Sequence, residues 1–528
     1  MKKLNILILG LATIFTMSSC ADEDYTSKYD DPAQTTQASC DKLMTGVFYS
    51  GREYTFNSYW RMFTWDNGII GKYAQTIGFT NSEGGLWTAQ DSYADNRWSN
   101  FYNILAQYRA LTKVYEAQDD AKKENDKIFV ILSEVYLYDH LSQLIDAFGD
   151  VPFDEAGYLG ITGDVANSYP SYQKAADLYK MMLNRLGDLY DDIVRISGNI
   201  PTLAAAALPA QDFINNGDLD KWAKYCNSLR LRLAMRVASQ GSLTAEGKAA
   251  ISEILGGQKV IANNDESVVA TPDADGFNYG DGFRDGYKDH SRASQEMLNV
   301  LLTETTLGQN DFRLPIMYSK NAAGEYKGLS TSEKLADQEI NISKPEAQRV
   351  YSRIDSTTVI YNRQLLSPII TAAEVDFLKA EAYQMEYADG DAKKAFVDGV
   401  LHSTQFYFLQ NSLSESSYGF IGTAPADADV IAYAETMWDN ATNKHELIIE
   451  QKWLNFGFMQ PSQAWAEVRR TGYPQMYFPT DDAAQVLKNV PNRVRYPASE
   501  RNNNTVKYNE QIKAMGSDDA YIKLFWAK

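Results

Sequence analysis

Cysteine and histidine are scarce, and their scarcity narrows the chemistry open to this chain. Three cysteines occur, Cys20, Cys40 and Cys226, and the first falls at the end of an export-type leader. That leaves room for one disulfide at most, and a chain of 528 residues needs no such staple. Four histidines, His140, His290, His402 and His445, are scattered and set up no metal-ligand spacing. His445-Glu446 opens like a zinc-protease helix, but Ile449 stands where the second histidine must fall. No Gly-x-Ser-x-Gly elbow is present. Gly71-Lys72 lacks the earlier glycine and the following hydroxyl of a phosphate loop. Positive charge is also short: 50 Lys and Arg stand against 69 Asp and Glu, a net charge of −19. Such a surface repels phosphate backbones and anionic lipid, which argues against nucleic-acid binding and electrostatic membrane docking. Past the N-terminus, no apolar run reads as long enough to cross a bilayer. Carboxylates abound, but glycoside hydrolysis needs a pair at a defined separation in space, which sequence does not supply. The stretch from Asp273 to Asp289 is rich in carboxylates and glycines and leaves calcium open, yet Gly276 and Phe277 break the EF-hand pattern. No catalytic residue, resident metal or cofactor is therefore assigned.

What the chain does have begins at its N-terminus. Lys2 and Lys3 precede an apolar run from Ile6 to Met17, and Ser18-Ser19-Cys20 follows. A positive start, a short apolar stretch and small residues before a cut are the marks of a secretory signal. Ser18-Ser19-Cys20 resembles the lipobox of bacterial lipoproteins, with Met17 where Leu is common. The resemblance implies cleavage before Cys20 and acylation of that residue. The acidic run Ala21-Asp22-Glu23-Asp24 resembles the signal that directs some lipoproteins to the outer cell surface. Several acyl chains on one residue anchor firmly, at ~0.8 kcal/mol per buried methylene. The expected organisation is a signal over 1–19, an acylated Cys20 with a flexible tether to residue 40, and one domain over 41–528.

Apolar residues recur at helical spacing in several segments. The stripes run through Ile128, Leu132, Val135, Leu141, Ile145 and Phe148, and through Leu178, Met182, Leu186, Leu189 and Ile193. Others pass through Trp222, Cys226, Leu229, Leu233 and Val237, and through Val375, Leu378, Ala382 and Met385; a further helix is expected from about His445 to Phe458. Gly149 is placed to cap the first of these, with Pro152 after it. Core packing accounts for the stripes. Arg230, Arg232 and Arg236 fall off the apolar face and read as solvated or paired with carboxylates. No 34-residue period is evident. Between the helices lie long stretches read as irregular: 57–98, rich in Trp, Tyr, Gly and Asn; 262–292, rich in Asp, Gly and Tyr; and 475–507. Loops of that length are functional or disordered, and their aromatic content argues against disorder.

Five phrases carry a family resemblance. Asp146-Ala147-Phe148-Gly149-Asp150-Val151-Pro152-Phe153 is the first, and Gly217-Asp218-Leu219-Asp220-Lys221-Trp222 running on to Leu229-Arg230-Leu231-Arg232-Leu233-Ala234-Met235-Arg236 the second. Ala373-Glu374-Val375-Asp376-Phe377-Leu378-Lys379-Ala380-Glu381-Ala382 is the third. The fourth is Gln451-Lys452-Trp453 with Ala464-Trp465-Ala466-Glu467-Val468-Arg469-Arg470-Thr471-Gly472-Tyr473-Pro474. Pro491-Asn492-Arg493 with Tyr496-Pro497-Ala498-Ser499-Glu500 is the fifth. In this order they resemble the SusD/RagB-like outer-membrane lipoproteins and span nearly the whole chain; Gln463 stands where the family often has Glu. The resemblance implies a mainly α, single-domain fold of tetratricopeptide-type helix pairs overlaid by long irregular loops. It also implies a non-catalytic surface protein, with Trp222, Trp453 and Trp465 in the core, that captures a nutrient for a SusC/RagA-like TonB-dependent barrel. The ligand in such proteins is usually an oligosaccharide and sometimes a peptide. A surface glycosidase and a purely structural lipoprotein are the competing readings.

Ligand residues in this family lie in variable loops, so they are read here from residue type. Sugars stack on exposed rings, while amides, carboxylates and guanidinium groups hold their hydroxyls. The first loop offers Trp60, Trp65, Asp66, Asn67, Tyr73, Asn81 and Trp87; the second offers Phe277, Tyr279, Phe283, Arg284 and Tyr287.

Overall fold

Helix starts are legible in this sequence, and the computed structural model, which describes residues 38–272, 280–287, 292–415 and 422–528, shows five of the main helices capped by side chains. Asp119 accepts from the Lys122 amide and opens a helix over Asp120–Phe148, which Gly149 closes at φ +89°. Asp218 does the same for Leu219–Ala238, Thr371 for Ala372–Gln384, Asp391 for Ala392–Leu413 and Asn443 for Lys444–Phe456. Each such cap satisfies an amide that the helix itself leaves unbonded.

The main helices in chain order are α1 (Cys40–Thr55), α2 (Asp91–Glu116), α3 (Asp120–Phe148), α4 (Ala175–Ser197), α5 (Leu219–Ala238) and α6 (Thr244–Leu255). After the short α7 (Gly280–Tyr287) come α8 (Ala372–Gln384), α9 (Ala392–Leu413), α10 (Asp427–Asn440), α11 (Lys444–Phe456) and α12 (Pro461–Thr471). Neighbours pack as helix pairs: α1 on α2 and α2 on α3, α4 on α5 and α5 on α6, then α8 on α9, α9 on α10, and α11 on both α8 and α12. Strands are few among the described residues. Three antiparallel ribbons join Val151–Pro152 to Tyr172–Gln173, Val268–Ala270 to Ser367–Ile370, and Tyr318–Ser319 to Arg353–Ile354. Residues Cys40–Lys528 form one compact unit. The fold is thus mainly α, with the helix pairs that the family resemblance implied.

Each predicted stripe lies on a helix and faces the core, except that Met385 falls past the end of α8 and is exposed. Trp222, Trp453 and Trp465 are buried as expected. One expectation changes at α3. Among the described helices it is long and apolar enough to cross a membrane, but 89% of its apolar window is buried inside the protein. It is apolar on all sides because it is the central helix, packed on α1, α2 and α4. Cys40 and Cys226 are buried free thiols, so the pairing left open by the sequence does not occur; burial pushes the Cys40 thiol up to about 12.

The arginines of α5 are buried rather than solvated, each in contact with carboxylates. Arg232 grips Glu374 with two hydrogen bonds of 2.5 and 2.8 Å and so ties α5 to α8. Arg236 reaches Asp146 at 3.3 Å. A second network joins α8, α11 and α12. Lys452 lies 2.8 Å from Glu381 and 2.9 Å from Glu467, and Arg470 lies 2.7 and 2.5 Å from the same two acids. The family phrases are therefore largely a wiring pattern of buried ion pairs between helices.

This wiring makes stability pH-dependent. Arg470, then Lys452, outweigh the burial that would raise the Glu467 carboxyl, and hold it at about 2 against an ordinary 4.5. Glu381 is held well below its usual range by the same two cations. A carboxylate with a depressed folded value stabilises the fold above its unfolded value and loses that contribution as pH falls towards the folded one. The urea midpoint is therefore expected to drop most steeply between pH ~4.5 and ~2. A midpoint flat across that window would contradict the network's role.

Candidate functional site

Tyr59 begins a helical segment that passes into a π-helix, Arg61–Ile70, and ends at Tyr73. The stretch 57–98 is thus not irregular as expected. Met62, Trp65, Ile69 and Tyr73 follow at helical steps and are all buried, and they carry the segment onto the core. The wider turn of a π-helix brings Phe63, Asn67, Gly68 and Lys72 to one face, and all four line a groove of about 320 Å³. Gly78, Phe79, Thr80, Gly85, Thr88, Gln90, Tyr93, Arg292 and Leu329 complete its lining.

A ladder of rings leads out from Phe63 in the groove lining. Tyr59 stacks on Phe63 with centroids 5.4 Å apart and planes 7° from parallel. Trp60 meets Tyr59 edge-on at 5.7 Å, and Phe63 meets Tyr93 at 6.1 Å. Trp60 is 50% exposed and Tyr59 40%, which leaves ring surface open to a ligand. The groove's polar atoms include the amides of Asn67 and Gln90 and the hydroxyls of Thr80 and Thr88. Burial pushes the Lys72 ammonium below its ordinary value.

The two candidate loops meet here. Helix α7 lies against the π-helix, and Asn67 Nδ2 donates to the Gly286 carbonyl at 3.3 Å. Glycine permits this approach. A Cβ at Gly282 would lie 2.3 Å from the Asn57 carbonyl oxygen, and one at Gly286 would lie 2.8 Å from the Met62 Cβ. The repeated glycines of the second loop therefore act as a close-packing surface.

The sequence candidates divide by burial. Trp60 is exposed, and Asn67, Asn81 and Arg284 are half-buried. Asn81 donates to the Thr331 and Glu333 carbonyls at 2.8 Å each, and Arg284 pairs with Asp285 at 2.9 Å. Five other candidates are buried, so they offer no ring face or polar edge at the open surface. Trp65 donates to Ser462 Oγ at 3.1 Å and stacks on Phe148. Asp66 pairs with Arg61 at 3.0 Å, and burial raises its carboxyl to about 6 despite that partner. Tyr73 donates to the Trp87 carbonyl at 2.7 Å, Trp87 donates to the Pro479 carbonyl at 3.0 Å, and Tyr287 is fully buried. Phe277 and Tyr279 lie outside the described residues, as do the Phe283 side chain, Cys20 with the segment around it, and most of the Asp273–Asp289 stretch. Sequence reading missed Tyr59, Phe63, Lys72, Gln90, Tyr93 and Arg292. Tyr59 and Phe63 carried a signal, a pair of rings four residues apart beside Trp60.

Comparison with known proteins adds the context. A family profile described as "Starch-binding associating with outer membrane" matches residues 32–497. Among solved structures, one described as a chitin-binding protein superposes with a TM-score of 0.71 at 20% identity, covering 93% of this chain and 100% of its own. A SusD homologue from Parabacteroides distasonis gives 0.70 at 19% identity, covering 93% of this chain and 98% of its own. A chitin-binding SusD homologue from Flavobacterium johnsoniae gives 0.68 at 18%, covering 92% and 98%. No curated protein sequence matches.

Proposed function

Since the chain belongs to the SusD-like family, whose description is starch-binding and association with the outer membrane, we propose that it is a surface binding protein that captures an oligosaccharide in the Phe63–Lys72 groove. The observation that carries this reading is the Trp60–Tyr59–Phe63 ladder, exposed at Trp60 and Tyr59, which runs to Phe63 in a groove lined by amide and hydroxyl side chains. A pyranose presents apolar C–H faces and equatorial hydroxyls, and this arrangement offers a partner for each. The chitin-binding character of two structural relatives supports a glycan over a peptide. Binding without turnover also fits the site. Among the described residues that line the groove none is a carboxylate, whereas glycoside hydrolysis ordinarily uses two.

In this proposal the chain is cut before Cys20 and held at the cell surface by acyl chains on that residue. It then delivers its ligand to a SusC-like TonB-dependent barrel. Two experiments test the parts separately. A glycan and peptide panel should show retention of glycans and no release of shorter products; peptide-only retention would overturn the substrate class. Cys20→Ala is expected to abolish acylation, read as loss of labelled fatty acid from the protein. Label retained by that variant would contradict the anchor.

A further inference from the structure

Building on the reading of the groove as the ligand site, we infer that its ligand is an anionic oligosaccharide, with Lys72 receiving a carboxylate or sulfate of the sugar. Lys72 is half-buried in the groove wall. It has no hydrogen-bond or ion-pair partner among the described residues, and burial is what lowers its affinity for a proton. Buried Arg97 and Arg469 also have no carboxylate within ion-pair distance among the described residues, but most buried cations of this molecule do. The buried cations Arg232, Arg313, Lys452 and Arg470 each hold at least one carboxylate.

The chain has 69 acidic side chains against 50 basic ones, so supplying Lys72 with a protein carboxylate would have been simple. Instead Lys72 stands in a groove none of whose described lining residues is acidic. A desolvated ammonium without an anion is costly. An incoming carboxylate or sulfate relieves that cost, and the low local dielectric beside Phe63, Phe79 and Tyr93 strengthens the new charge-assisted bond. Neutral glucans and chitin-type chains would use the aromatic ladder and leave this cation unmatched.

The test is titration of the full protein with four probes: a tetragalacturonate, its methyl ester, a heparin-derived tetrasaccharide, and a neutral cello-tetrasaccharide. Wild-type protein should bind at least one acidic probe about tenfold or more tighter than the neutral ones, with an affinity that falls as salt rises. The galacturonate and heparin arms separate a carboxylate from a sulfate. Lys72→Met should remove that advantage, so that acidic and neutral probes bind alike, while Lys72→Arg keeps most of it. Equal melting temperatures for wild type and both variants would show that the fold is intact, and Lys72→Gln serves the same purpose if the Met variant does not fold. Binding of neutral probes or peptides alone, failure to bind either acidic probe, or acidic binding unmoved by Lys72→Met each overturns the inference. Trp60→Ala separates it from the groove assignment. If Trp60→Ala weakens every glycan while Lys72→Met weakens none, the groove stands and the anionic ligand fails. If Trp60→Ala changes nothing, the groove itself is misassigned.

Discussion

Replacing Lys452 by Met is expected to destabilise the protein by ~3–5 kcal/mol, read as a fall in the urea midpoint at pH 7. Lys452 has no exposed side-chain surface and bridges Glu381 and Glu467 at 2.8 and 2.9 Å. Without it, the cations nearest those acids are Arg470, which contacts both, and Arg236 at 3.8 Å from Glu467. Two buried carboxylates then share too little positive charge, and that imbalance is the source of the loss. The methionine's apolar volume does not compensate, because the cost lies in the acids left behind. A second change that restores balance should recover much of the stability. Lys452→Met with Glu381→Gln leaves Arg470 and Glu467 as a matched pair at 2.5 Å. A single variant within ~1 kcal/mol of wild type would show that the network is incidental. The consequence reaches the site, since Arg61 Nη2 donates to the Met459 carbonyl just before α12 and Trp65 donates to Ser462 on it. The network fixes the platform on which the π-helix sits.

Trp87→Ala and Trp60→Ala should separate cleanly into a folding variant and a binding variant. Trp87 is fully buried against Phe79, Tyr73 and Phe478, and its indole N–H is bonded to the Pro479 carbonyl. Truncation opens a cavity and orphans that carbonyl, at a cost of ~3–5 kcal/mol. Trp60 is half exposed and touches mainly Tyr59, so its removal should move stability by no more than ~0.5 kcal/mol. The readouts are the urea midpoint for Trp87→Ala and the midpoint together with glycan affinity for Trp60→Ala. If Trp87→Ala kept full stability and lost only affinity, the burial-based division of the candidate residues would be wrong.

These contrasts show where the sequence was legible. The stripes of α3, α4, α5 and α8 could be read because apolar residues at steps of three and four have one common cause, burial of a helix face. Arg232, Arg236, Glu374 and Glu381 were harder. Their partners are 142 residues away for Arg232–Glu374 and 71 for Lys452–Glu381, and a charge whose partner is distant in sequence reads as solvated. The first aromatic loop was correctly singled out, yet its residues were sorted by type rather than by face. Met62, Trp65, Ile69 and Tyr73 form a stripe that Gly68, Gly71 and Asn67 disguise as loop composition. Once that stripe is placed on the core, the opposite face must carry Phe63, Asn67 and Lys72. The glycines of the second loop read as loop residues, but Gly282 and Gly286 are there because α7 and the π-helix touch backbone to backbone.

The most direct test of the account is calorimetric titration of the tightest glycan found on the panel into wild type, Trp60→Ala and Phe63→Ala. The account predicts at least ~1 kcal/mol of lost binding free energy in each variant, from removal of a stacking surface, with Trp60→Ala unchanged in melting temperature. Wild-type affinity in both variants would place the ligand elsewhere on the molecule and contradict the assignment of the groove.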